Sequence, residues 1–253
     1  MSLEWIGKII VRYWPMLLRG AGITLYISVI GTVIGFLIGL ITGVIRTIPM
    51  PDRGAKRVVL KVVNAALAVY IEVFRGTPMI VQAMVIYYGA ALAFQIDMNK
   101  LAAGILIVSI NTGAYMAEIV RGGIISIDKG QFEAAQALGM NHIQTMMNVV
   151  LPQAIRNILP ATGNEFVINI KDTSVLNVIS VSELYFQTNS VAGINFRFFE
   201  SFFVASILYF IMTFTITRIL RWIERKLDGP ENFILYANQM QVELPEFHMK
   251  KTK

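Results

Sequence analysis

Cysteine is absent from this 253-residue chain, and histidine occurs only at His142 and His248. Disulfides and thiolate metal sites are therefore excluded, and a zinc centre or a Ser-His-Asp triad has little material. Charged residues make up only 15% of the chain, where soluble domains carry about 25%. No Gly-x-x-x-x-Gly-Lys-Ser/Thr string is present to cradle nucleotide phosphates, so the sequence carries no signature of ATP hydrolysis. What replaces charge is apolar surface: 55% of residues are hydrophobic and the mean hydropathy is +0.61. A net charge of +6 fits nucleic acid on its face. In a membrane protein, basic cytoplasmic loops account for the same balance, and nucleic acid is not expected as a partner.

The apolar residues fall into blocks. Residues 1–20 hold Glu4, Lys8, Arg12 and Arg19, which break any signal-peptide core. This segment reads as an interfacial helix bent at Pro15, or equally as a tilted leader into the first span. Ala21 to Ile45 is charge-free for 25 residues, which at helical rise covers roughly 37 Å. Within it Gly31, Gly35, Gly39 and Gly43 form a smooth stripe for close helix packing, inside one subunit or between two.

Further spans are expected over about 76–96, 101–120, 155–175 and 198–220. A break is expected near Arg75–Pro78, because one straight helix from Val58 to Ile96 would far exceed a bilayer. The basic loop 46–61 and the cluster Arg218, Arg221, Arg225 and Lys226 mark the cytoplasmic side. The expected fold is thus an all-α integral membrane protein with five transmembrane helices, N-terminus outside and C-terminus inside. A membrane domain over 21–226 is followed by a cytoplasmic tail over 227–253.

One segment departs from this pattern. Asp128 with Gln131 three residues later predicts an N-cap and capping box, and Gly139 suits the left-handed position that ends a helix. Glu133 is followed by Ala134 and Ala135, whose small side chains let another backbone approach. Such a helix either connects two spans or enters a groove on a cytoplasmic partner.

Polar groups at bilayer depth are functional candidates until a partner explains them. Asn111, Tyr115 and Glu118 share one helix face, and Glu118 with Arg121 reads as a local ion pair. Asn111 falls about 15 Å into a ~30 Å core. Glu165, Asn169 and Asp172 repeat the spacing, with Glu165 roughly 20 Å above the inner boundary by helix rise. Asn111 and Glu165 are expected to meet there, either around an ammonium or cationic ligand or as structural partners. Glu72 and Arg75 read as an ion pair or as pathway lining, with Thr77 and Gln82 nearby.

The string Glu133-Ala134-Ala135, three residues, Gly139, nine residues, then Val149-Val150-Leu151-Pro152 resembles the cytoplasmic signature of permease subunits of ATP-binding-cassette importers. That signature has isoleucine where Val149 stands. "EVFRGTP" (Glu72 to Pro78), "AYMAEIVRGGI" (Ala114 to Ile124) and "KDTSV" (Lys171 to Val175) resemble the polar amino-acid branch of those permeases, which more often ends the last string in leucine. The resemblance covers about Gly20 to Arg225.

It implies a non-catalytic subunit of the cytoplasmic membrane that pairs with a second permease subunit, alike or different. Partner ATPase subunits would hold ATP and Mg and receive a coupling segment at about 128–150. Its docking residues are Glu133, Ala134, Ala135, Leu138 and Gly139, closed by Leu151 and Pro152. A solute-binding protein delivers an amino acid from outside, and this chain itself needs no cofactor or metal. A self-sufficient channel or secondary transporter is the alternative, and it fits less well because no internal repeat is visible. An intramembrane enzyme lacks any nucleophile–base pair.

Overall fold

The computed structural model describes residues 2–228, all helices and connections, with no strand among them. The tail expected over 227–253 lies, beyond Asp228, outside the described residues. Helix α1 runs from Leu3 to Arg46 without interruption, about 66 Å of rise. The expected boundary at residue 20 is therefore absent. Pro15 costs one backbone bond and keeps a helical φ. Burial of Ile9, Leu17 and Ala21 against Leu184, Val191 and Val204 holds the N-terminal half in the same helix.

A basic loop leads to α2 (Ala55–Gly76) and α3 (Met79–Phe94), separated at Thr77–Pro78. Thr77 is extended (φ −121°, ψ 146°), as steric conflict with a following proline ring requires. The second apolar block is thus two helices, of which the apolar one is only 16 residues long. Helix α4 (Lys100–Ile125) is capped by Asn99, whose side chain accepts from the Leu101 and Ala102 amides.

Helices α1 and α4 form the centre of the bundle. A Cβ placed on Gly31 would meet Val108, on Gly35 Thr112, on Gly39 Met116 and on Gly43 Val120. The four-residue step is the same on both helices and rises in the same direction, so they run parallel. The glycine stripe is spent inside the subunit, where it lets the two backbones touch.

After α4 come α5 (Lys129–Ala137) and the one-turn α6 (His142–Thr145). A π-turn over Met146–Val150 leads into α7 (Leu151–Asp172). Pro152 lacks the N–H that would bond to Asn148, which favours the wider turn there; Leu151 N donates instead to Met146 O. A 3₁₀ segment, Thr173–Ile179, replaces the end of the span expected to reach residue 175. Then follow α8 (Leu184–Asn195) and α9 (Phe198–Asp228).

Three helices are long and apolar enough to cross a membrane among the described residues: α1, α4 and the Phe198–Lys226 part of α9. The core is a chain of three clusters. One gathers Ile27, Ile107, Val108 and Leu176 around α4 and the 3₁₀ segment. A second joins Val120 and Ile124 to Met146, Val150 and Ile158 beneath α5. The third binds the start of α1 to α8 and α9.

Candidate functional site

Helix α5 is short because both ends are chemically terminated. The Asp128 carboxylate accepts from Gly130 N at 2.7 Å. At the other end Gly139 has φ 76°, Gly139 N donates to Gln136 O, and Met140 N donates to Ala135 O. That pair of bonds is the Schellman stop, which needs a left-handed residue at its centre. The expected capping box does not form at α5. The Gln131 carboxamide lies instead beside Gln153, accepting from Nε2 at 3.4 Å. The box occurs one helix later, where Asn141 and Gln144 cap each other reciprocally.

The faces of α5 differ in what they touch. Ala135 is buried, and Phe132 packs on the cluster of Ile124, Ile127, Met146 and Val150. Glu133, Ala134, Ala137 and Gly139 are exposed, and Leu138 is 81% exposed. The two alanines therefore do not share a free surface: Ala135 seats α5 on its own chain, and only Ala134 faces outward. Leu151 packs on the same inner cluster, and Pro152 lies exposed in the first turn of α7. Neither belongs to the outward edge of α5. Ile143 and Met147, which follow in α6 and the π-turn, are likewise 72% and 61% exposed.

Deeper in the bundle the polar residues form two closed knots. Asn111 Nδ2 donates to Gln82 Oε1 at 2.9 Å and to Phe74 O at 3.3 Å. Gln82 Nε2 in turn donates to Phe74 O, Thr77 O and Thr77 Oγ1, each at 2.9 Å. These three side chains satisfy the backbone freed at the α2–α3 break, as buried polar groups require. Tyr70 Oη donates to Ile110 O at 2.6 Å and holds α2 on the same side of α4. The expected meeting of Asn111 with Glu165 does not occur, because α2 and α3 occupy that face of α4.

The second knot is Asn169, whose Nδ2 donates to Thr32 Oγ1 at 2.8 Å and Thr112 Oγ1 at 3.0 Å. It ties α7 to α1 and α4.

Glu165 stands apart. It is 9% exposed, and no hydrogen bond or ion pair engages its carboxylate among the described residues. The charges that act on it are Asp172 and Arg75. The expected Glu72–Arg75 pair is not formed. The Arg75 guanidinium lies 5.5 Å from the centroid of the Tyr115 ring, and Glu72 points outward, exposed. Arg75 ends α2 facing α4, and a cation over a tyrosine face is favourable there.

Glu118 does pair with Arg121, through Nη2 at 2.9 Å and Nε at 3.2 Å, and also with Arg46 at the end of α1. Arg46 is not among the expected partners, since 72 residues separate it from Glu118. Glu183 escapes sequence reasoning altogether. It is fully buried, accepts from the amides of Tyr185 (2.8 Å) and Phe186 (2.7 Å), and receives the Tyr209 hydroxyl at 3.2 Å. Glutamate is not a favoured N-cap, so no local signal points to it.

The comparisons with known proteins agree with one another. A family profile described as "Binding-protein-dependent transport system inner membrane component" matches residues 54–229. The glutamine transport system permease protein GlnP of Escherichia coli K12 is 41% identical over 214 residues, 84% of this chain and 93% of that protein. The probable amino-acid permease protein YxeN of Bacillus subtilis is 32% identical over 90% of this chain and 98% of its own length. A crystal structure of an amino acid ABC transporter superposes with a TM-score of 0.76 at 36% identity, covering 89% of this chain and 100% of that one. The MetNI methionine transporter, at 22% identity and a TM-score of 0.65, shares the fold. The chain belongs to the family of inner-membrane components of binding-protein-dependent transport systems, and it is the membrane subunit, not the ATP-hydrolysing one, of an ATP-driven importer.

Proposed function

We propose that this subunit imports an amino acid through a five-span bundle with its N-terminus outside and its C-terminus in the cytoplasm. The five crossings are α1, α2 with α3 as one broken crossing, α4, α7 and α9. The parallel register of α1 with α4 supports this count, because two crossings separated by one other run in the same direction. Arg46, Arg53, Lys56 and Arg57 at the first turn, and Arg218 to Lys226 on α9, support the orientation.

Helix α5 is the element that docks a partner ATPase, in which ATP and Mg reside. The observation that carries this is the outward edge of α5: Glu133, Ala134 and Leu138 exposed on a nine-residue helix stopped at Gly139, in the spacing of the importer signature. Leu151 and Pro152 set the direction of α7 behind it. A second permease subunit covers the exposed Glu72, Arg75, Lys171 and Asp172, which are costly against lipid.

Glu165 contributes to the pathway. It sits one helical turn from the Asn169–Thr32–Thr112 knot, and Thr32 lies at the middle of the charge-free stretch Ala21–Ile45. With no hydrogen-bond donor of its own, its carboxylate is suited to an ammonium group. Arg75 and Tyr115 flank the same region, whereas Asn111, Thr77, Gln82 and Asn169 serve the architecture. The names of the relatives, glutamine and amino-acid permeases, support an amino acid as substrate.

Bulky replacements at Glu133 and Gly139 are expected to abolish co-purification of the ATPase. A complex that still forms and transports refutes the docking role. Glu165→Ala is expected to weaken transport in reconstituted vesicles while leaving the ATPase bound, and unchanged uptake kinetics refute its place in the pathway.

A further inference from the structure

The glycine stripe puts the α1 and α4 backbones in contact along their length, yet a line of glycines offers little resistance to one helix sliding along the other. Besides the Asn169 bridge at mid-length, which runs through α7, one direct polar tie crosses between them at the cytoplasmic end. Glu118 on α4 receives Arg46 on one carboxylate oxygen and Arg121 on the other. The side chains of Arg46 and Glu118 are each 23% exposed, so the pair is largely shielded from water. Arg46 is the last residue of α1.

Three connecting residues, Ser126 to Asp128, join the end of α4 to the start of α5. A displacement of α5 reaches α4 through this connection, and α7 through the π-turn on which α5 packs. At the far end, α1 carries α8: Leu184 N donates to Thr24 Oγ1 at 3.2 Å, and a Cβ on Gly20 would lie 2.9 Å from Leu184 Cα. Helix α8 is therefore mounted on α1, while α5 is tethered to α4 by a short connection and seated on the π-turn that leads into α7.

We propose that the Arg46–Glu118 pair is a positioning clamp that makes α1 move with α4, so that α1 relays motion between the ATPase-docking helix and α8 at the opposite end of the bundle. Arg46 and Glu118 act through the helices they join. The inference rests on α5 being the docking helix. It adds that the signal reaches the outer end through α1, a helix that leads away from α5.

Arg46→Gln is the cleanest probe. It removes the bond to α1 and leaves the Glu118–Arg121 pair on α4 intact, so no carboxylate is stranded. Arg46→Lys keeps the cation and serves as the conservative rescue. Both are made in the complete transporter in lipid nanodiscs and liposomes, with three measurements: ATPase co-purification, basal ATP hydrolysis, and solute transported per ATP with loaded binding protein present. Arg46→Gln is expected to retain the ATPase and its basal hydrolysis. It is expected to lose at least about fivefold in stimulation by the binding protein and in transport per ATP, the lower end of ordinary coupling free energies. Arg46→Lys is expected to recover most of both.

Unchanged stimulation and transport per ATP in Arg46→Gln overturn the clamp. So does loss of the ATPase from that variant, since the pair would then merely shape the docking surface. An Arg46→Lys variant no better than Arg46→Gln overturns it as well. Failure of the docking reading is separately visible, as retention of the ATPase by bulky variants at Gly139.

Discussion

Gly39→Ala tests the contact between α1 and α4 most directly. The added methyl overlaps Met116 Cβ and lies 2.7 Å from the Met116 carbonyl carbon and 2.9 Å from Ala117 N. Met116 Cβ is fixed to its backbone and cannot rotate away, and ordinary contact begins at 3.4 Å, so the backbones must part by at least about 0.7 Å. Overpacking of this kind costs about 1–3 kcal/mol, while alanine in place of glycine returns roughly 1 kcal/mol of helix propensity. Gly22, on the same helix, has open space where a methyl would go, with nothing within 4 Å, and collects only the propensity gain. The propensity gain is common to both, so the two alanine variants are expected to differ by the overpacking cost of about 1–3 kcal/mol, with Gly39→Ala the less stable.

Thermal unfolding of the purified complex in nanodiscs gives the ranking. A double-mutant cycle sharpens it. At Gly31 the obstruction is the Val108 side chain, with Cγ1 at 2.5 Å, so Val108→Ala should rescue Gly31→Ala in large part. At Gly39 the obstruction includes backbone, so Met116→Ala should not rescue Gly39→Ala. Gly39→Ala as stable as Gly22→Ala, or fully rescued by Met116→Ala, refutes the close approach.

Three further substitutions probe the buried polar contacts. Glu183→Ala removes the acceptor of two α8 amides and of the Tyr209 hydroxyl; a loss of about 2–4 kcal/mol is expected. Tyr209→Phe is expected to cost only about 1 kcal/mol, and hydrogen exchange across Leu184–Asn195 should rise in the first variant alone. Asn169→Ala strands the Thr32 and Thr112 hydroxyls, for an expected loss of about 1–2 kcal/mol within the membrane. Thermal unfolding measures it, and no loss would mean that α7 is held by apolar packing alone.

Much of the molecule was legible from local pattern. The charge-free run Ala21–Ile45 predicts a crossing because helical rise and bilayer thickness are both constants. The stop at Gly139 follows from a left-handed backbone that glycine tolerates, and the break before Pro78 follows from proline sterics. The spacing from Glu133 to Pro152 carried the family, since α5 and the turn behind it are contiguous in sequence. The reading of α5 as a surface of two alanines failed at Ala135, because which face of a short helix is free depends on what it packs against.

What the sequence alone determined is the charge-free crossing Ala21–Ile45, the stops at Gly139 and before Pro78, and that the chain is an importer permease. Those are consequences of residues within a turn or two of each other. Only the tertiary structure decided that the glycine stripe serves α4 of the same subunit and not a second copy. It also decided that Asn111 mends the α2–α3 break instead of facing Glu165, and that Arg46 finds Glu118 across 72 residues. A helix face can be read from periodicity, but its partner is chosen by the axial register and rotation of whole helices, which no single segment encodes.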